Sequence, residues 1–127
     1  MATLLIVDDS QFQRKMLRSV ALGMGHEVLE ATDGQQGLAL AEERRPDCMI
    51  CDLVMPVLGG LEVLAALKES KNPTPVIIVT SDIQEPVRRQ CRELGAVAFI
   101  CKPAPPDQLR QAIQAALETR KNAHEHS

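Results

Sequence analysis

Four apolar runs in this chain end in residues able to do chemistry. Leu4–Val7 leads into Asp8 and Asp9, Met49–Cys51 into Asp52, Val76–Val79 into Thr80, and Phe99–Cys101 into Lys102. Each run has the length of a buried strand, and in an open α/β sheet ligand sites form outside the carboxyl ends of the strands. Three carboxylates, a hydroxyl and an ammonium therefore meet at one rim. Like charges a few ångströms apart disfavour joint ionisation, so such a cluster needs a counter-charge. Lys102 supplies one positive charge, and a divalent ion with oxygen ligands supplies the rest. Mg²⁺ suits the role because it is usually held by one or two carboxylates plus a phosphate oxygen. With both cations in place the rim is neutral.

The elements that must position these residues alternate from end to end. Strand patterns fall near 3–7, 27–31, 47–51, 76–80 and 97–101, and helical patterns near 11–23, 35–44, 60–69, 84–94 and 107–121. Five such βα units predict a parallel sheet covered on both faces. Met16, Leu17, Val20, Ala21 and Met24 recur at helical spacing, as do Val87, Cys91 and Leu94, and Leu109, Ile113, Ala116 and Leu117. Each set predicts one inward stripe. Punctuation agrees: Gly23-Met24-Gly25 closes the first helix, Asp33-Gly34 opens the second, Gly59-Gly60 admits the third, and Pro105-Pro106-Asp107 suits the first turn of the last. The pattern predicts one domain over 1–121, with 122–127 as a short polar tail.

A net charge of −3 argues against a nucleic-acid reader, which normally shows a basic excess. The apolar runs are strand-sized and no secretory signal opens the chain, so a cytoplasmic protein without membrane insertion is expected. Cys48, Cys51, Cys91 and Cys101 lie inside apolar segments, where a free thiol behaves as a small hydrophobe. Cys48 and Cys51 spell C-x-x-C, the pattern of a redox pair or half a zinc site, yet residues three apart on a strand point to opposite faces. With Phe12 and Phe99 as the only aromatics, there is little to stack on a flavin or on bases.

Taken in order, Leu4–Val7 with Asp8-Asp9-Ser10 and Arg14, then Asp52-Leu53-Val54-Met55-Pro56 with Gly59-Gly60, then Thr80-Ser81, then Phe99–Cys101 with Lys102-Pro103, resemble the receiver domain of bacterial response regulators. The resemblance covers the chain up to the last helix. It implies a flavodoxin-like α/β fold, five parallel strands in the order 2-1-3-4-5 with helices on both faces. In that order Asp52 has the acidic pair on one side and Thr80 on the other. Lys102 ends a strand two spacings away, a gap suited to a long side chain carrying a compact charge.

The resemblance further implies that Asp52 is the phosphoacceptor. A carboxylate with a pKa of about 3.9 is already ionised at neutral pH and needs no general base. Asp9, Asp52 and the Val54 carbonyl are the implied Mg²⁺ ligands, with Asp8 acting through a metal-bound water. Thr80 and Phe99 are the implied switch pair, and Phe99 stands where the family often has Tyr. Two positions tied to phosphoryl lifetime carry Val54 and Asp82; Val54 cannot orient an attacking water. Ser81 replaces a residue that is often smaller.

These features predict a receiver without an output domain of its own, accepting a phosphoryl group from a sensor histidine kinase and signalling through a docking surface on the 84–121 face. Arg88, Arg89 and Arg92 make that face basic and suited to an acidic partner. Turnover is expected to rely on Asp82 or on an auxiliary phosphatase. The alternatives are a phosphorelay intermediate, a phosphate sink, or an aspartyl-phosphate phosphatase. Val54 argues against the last, because such enzymes commonly place a second Asp two residues after the nucleophile.

Overall fold

The computed structural model describes residues 1–82 and 84–125. Five strands, β1 (Thr3–Val7), β2 (Glu27–Ala31), β3 (Cys48–Cys51), β4 (Val76–Thr80) and β5 (Ala98–Cys101), alternate with five helices. The helices are α1 (Gln11–Gly23), α2 (Gly34–Arg44), α3 (Gly60–Glu69), α4 (Glu85–Glu93) and α5 (Pro106–Glu125). All strand pairs are parallel, and the order is β2-β1-β3-β4-β5. Central β1, β3 and β4 are almost wholly buried, as expected of strands covered on both faces.

Alternation along the strands divides the core in two. Leu4, Ile6, Cys48, Ile50, Ile77, Val79 and Ile100 pack under Leu17 and Ala21 of α1 and Leu109, Ile113 and Ala116 of α5. On the other face Leu5, Val7, Met49, Cys51, Val76 and Ile78 meet Ala41, Val63, Leu64, Leu67 and Cys91 from α2, α3 and α4. The predicted stripes of α1, α4 and α5 are these inward faces. Cys48 and Cys51 fall in different clusters, so the C-x-x-C spacing does not make a pair.

Helix starts follow local chemistry. Ser10 caps α1 by accepting from the Gln13 amide at 3.2 Å, and Asp33 caps α2 by accepting from that of Gln36 at 2.8 Å. Glu62 reaches back to the Gly59 amide at the start of α3, and Pro86 lies in the first turn of α4. Two expectations need correction. Cys101 is exposed: β5 is an edge strand, and Cys101 ends it at the open rim with a neighbouring strand on one side only. The backbone of α5 runs to Glu125, into the stretch expected as a tail, because residues 121–125 contain no glycine or proline to stop it. Residues 126 and 127 lie outside the described residues.

Candidate functional site

The parallel register delivers the strand ends to one place. Val7 pairs with Cys51, so Asp8 and Asp52 leave the sheet side by side, joined by the Asp52 amide donating to the Val7 carbonyl at 3.1 Å. Cys51 pairs with Ile78 and Thr80 with Cys101. Thr80 thus stands one step beyond the level of Asp52, and Lys102 one step beyond Thr80. The stem of Lys102 recovers that distance: its ammonium sits 2.7 Å from Asp52 Oδ2 and 3.0 Å from Asp8 Oδ2.

Asp8 and Asp52 are buried, whereas Asp9 is exposed. One oxygen from each of the three lies within 4.8 Å of the others. The remaining oxygens are partly engaged, with Asp8 Oδ1 accepting from the Ser10 amide at 2.9 Å and Asp52 Oδ1 from the Val54 amide at 3.3 Å. This all-oxygen donor set, buried at its base and open at Asp9, fits a hard divalent ion such as Mg²⁺ and suits soft metals poorly. Burial works against the Lys102 ammonium, but its hydrogen bonds and charge interactions with Asp52 and Asp8 outweigh this and hold its pKa above the usual 10.5. Lys102 therefore stays charged and is the site's fixed cation.

Thr80 is buried, and its Oγ1 accepts from the Asp82 amide at 3.3 Å. The Asp82 carboxylate in turn accepts from the Gln84 amide at the start of α4 at 3.1 Å. Phe99 is half-buried, and the Arg88 guanidinium lies 5.5 Å from its ring centroid, in cation–π range. Val54 is exposed beside the carboxylates. The segment after Asp52 is tightly folded, since a Cβ at Gly60 would stand 2.5 Å from the Asp52 carbonyl. Val57 in the same segment has φ of 70°, a conformation strained for a β-branched residue.

Sequence reasoning brought Asp8, Asp9, Asp52 and Lys102 together, and the structure joins them. It did not anticipate the support behind them. Arg14 donates from Nη1 to the Asp8 carbonyl at 2.8 Å and pairs through Nε with Glu30 of β2 at 3.3 Å. The available signal was Glu30 itself, a charge within a strand whose neighbours Val28 and Leu29 pack inward.

Residues 4–114 match the response regulator receiver domain family. The chain belongs to that family. Among its relatives, the receiver is 37% identical to protein PilH of Pseudomonas aeruginosa, over 92% of this chain and 98% of that protein. It is 31% identical to sporulation initiation phosphotransferase F of Bacillus subtilis, over 94% and 96%. The crystal structure of Vibrio cholerae chemotaxis protein CheY4 superposes with a TM-score of 0.84 at 34% identity, covering 92% of the receiver and 99% of that chain. The receiver spans about half the length of several other curated relatives. It carries the flavodoxin-like order of its family and a place in two-component signalling. Among the described residues no helix is long and apolar enough to cross a membrane.

Proposed function

We propose that this receiver accepts a phosphoryl group on Asp52 from a sensor histidine kinase and passes the event on as a change in a docking surface. The observation that carries the reading is the setting of Asp52. It is a buried carboxylate at the centre of the rim, paired with Lys102 at 2.7 Å and clustered with two further carboxylates. Asp9, Asp52 and the Val54 carbonyl would hold Mg²⁺, with Asp8 acting through a water. When bound, the ion neutralises the cluster and draws charge from phosphoryl oxygens.

The transfer forms a bond between a carboxylate oxygen of Asp52 and phosphorus, while the bond from phosphorus to the donor nitrogen breaks. Charge spread over the three equatorial oxygens makes positioning and electrostatics the main contributions. Lys102 shifts from the carboxylates toward a phosphoryl oxygen without changing its protonation. The Thr80 hydroxyl leaves the Asp82 amide and donates to another. Its departure opens space for Phe99 to turn inward from under Arg88, which alters the 84–121 face presented to a partner protein.

The Val54 side chain offers no polar atom to orient an attacking water, so turnover of the phosphoryl group falls to Asp82 or to an auxiliary phosphatase. The protein works in the cytoplasm, with residues 1–121 as the receiver. Similarity to a sporulation phosphotransferase favours, as a second reading, onward transfer to another histidine.

Incubation with Mg²⁺ and a small phosphodonor, followed by intact mass, tests the central step. Wild type gains one phosphate and Asp52→Asn gains none; equal gain in both, or none in wild type, refutes it. Val54→Asn speeds decay of the phosphorylated protein, and an unchanged or slower decay refutes the role given to Val54.

A further inference from the structure

Asp8 is held at its amide, its carbonyl and both carboxylate oxygens. Its amide donates to the Ala31 carbonyl of β2 at 3.1 Å, and its two carboxylate oxygens take the Ser10 amide and the Lys102 ammonium. Its carbonyl takes the Arg14 guanidinium at 2.8 Å. That carbonyl belongs to the same peptide unit as the nitrogen of Asp9. A peptide is planar, so fixing the Asp8 oxygen fixes the plane from which the Asp9 Cα and side chain depart. Asp9 is exposed, and its position in the carboxylate cluster is set through this plane.

Arg14 is itself held. Its side chain is only 15% exposed, and Glu30 pairs with its Nε at 3.3 Å. The other Glu30 oxygen lies 3.8 Å from Arg18. The planar fork of Arg14 can serve Asp8 and Glu30 together, which a lysine ammonium on a flexible stem does poorly.

We infer that Arg14, braced by Glu30, is a positioning residue that orients the Asp8–Asp9 peptide and so sets the affinity of the acidic cluster for a divalent cation. This rests on the proposed reading of the cluster as the Mg²⁺ site. Charge and position make opposite demands here. Arg14 is a cation whose guanidinium touches the Asp8 carbonyl, so by Coulomb repulsion of an incoming ion alone its removal tightens cation binding. By position its removal weakens binding.

The test is calorimetric titration of the intact, unphosphorylated protein with Mg²⁺, alongside melting temperatures, for wild type, Arg14→Ala and Arg14→Lys. Loss of an outer partner of a metal ligand usually costs at least about tenfold in affinity, and Arg14→Ala is expected to weaken Mg²⁺ by about that factor. Arg14→Lys keeps the charge and folds under milder perturbation; it is expected to fall between Arg14→Ala and wild type, whereas charge alone leaves it at the wild-type value. Wild type that binds, with variants that bind equally or more tightly, overturns the inference and leaves the proposed function standing. Wild type that fails to bind Mg²⁺ overturns both.

Discussion

Lys102→Met keeps most of the aliphatic stem and removes an ammonium that lies 3.0 Å from Asp8 and 2.7 Å from Asp52. The two carboxylates are only 2% and 9% exposed, so water cannot replace what is lost. Removing one partner of a buried pair costs about 3–5 kcal/mol, because the remaining charge is uncompensated. The lower end of that range, about 3 kcal/mol, is taken here. For a chain of 127 residues the unfolding entropy is about 0.27 kcal/mol/K, and Tm falls by about 11 °C. Mg²⁺ then separates the two proteins. In wild type an incoming ion shares the Asp8 and Asp52 oxygens with Lys102, whereas in the variant it meets the uncompensated cluster and binds more tightly. Each tenfold gain in affinity adds about 1.4 kcal/mol of stabilisation at saturating ion. Melting both proteins with a chelator and with millimolar Mg²⁺ gives the answer. A variant within about 3 °C of wild type in the chelator, or an equal rise in both with Mg²⁺, refutes the reasoning.

Val57→Gly is expected to stabilise by about 1 kcal/mol: a left-handed conformation costs an L residue about 1–2 kcal/mol, and glycine returns about 0.5–1 kcal/mol of that through chain entropy. Val57 is 73% exposed, so little burial is lost, and urea unfolding that shows a fall in stability counts against the assignment. An alkylating reagent should label Cys101 alone in the native protein and all four cysteines after denaturation; a second native label contradicts the packing. Burial, with a smaller contribution from Asp47, pushes the Cys48 thiol up to about 12 from 9.0. Burial also raises Cys51, with Asp52 and Asp8 adding to it. Above pH 9.0 the unfolded chain therefore releases thiol protons that the native state retains. The unfolded state then binds fewer protons, and stability falls as pH rises. Lys102, whose native pKa lies above 10.5, adds to the loss at higher pH. Urea unfolding across this range should give a shallower decline for Cys48→Ala, and an identical slope refutes the linkage.

The rim was legible because buried parallel strands read as apolar runs, and a run that stops in Asp, Thr or Lys marks its own carboxyl end. Spacing alone gave the five βα units but not their order, which came through resemblance; the register that sets Thr80 one step above Asp52 came from neither. The features that escaped depend on tertiary placement. Exposure of Cys101 follows from β5 being an edge, and the Arg14–Glu30 brace joins a helix to a strand that no periodicity links. The positive φ of Val57 is the reverse of what its side chain favours, so the folded segment overrides the local preference. In the sequence Arg88 counts only toward a basic face; its contact with Phe99 depends on α4 and β5 being in place.

Lys102 follows Asp8 by 94 residues, and this has a consequence for the order in which the protein matures. During vectorial synthesis, Asp8, Asp9 and Asp52 emerge well before the lysine that offsets one of their three charges. The carboxylates thus precede that ammonium, and the docking of β5 supplies it. Completion of the sheet and completion of the pocket are the same event, so a chain arrested short of its last strand lacks both.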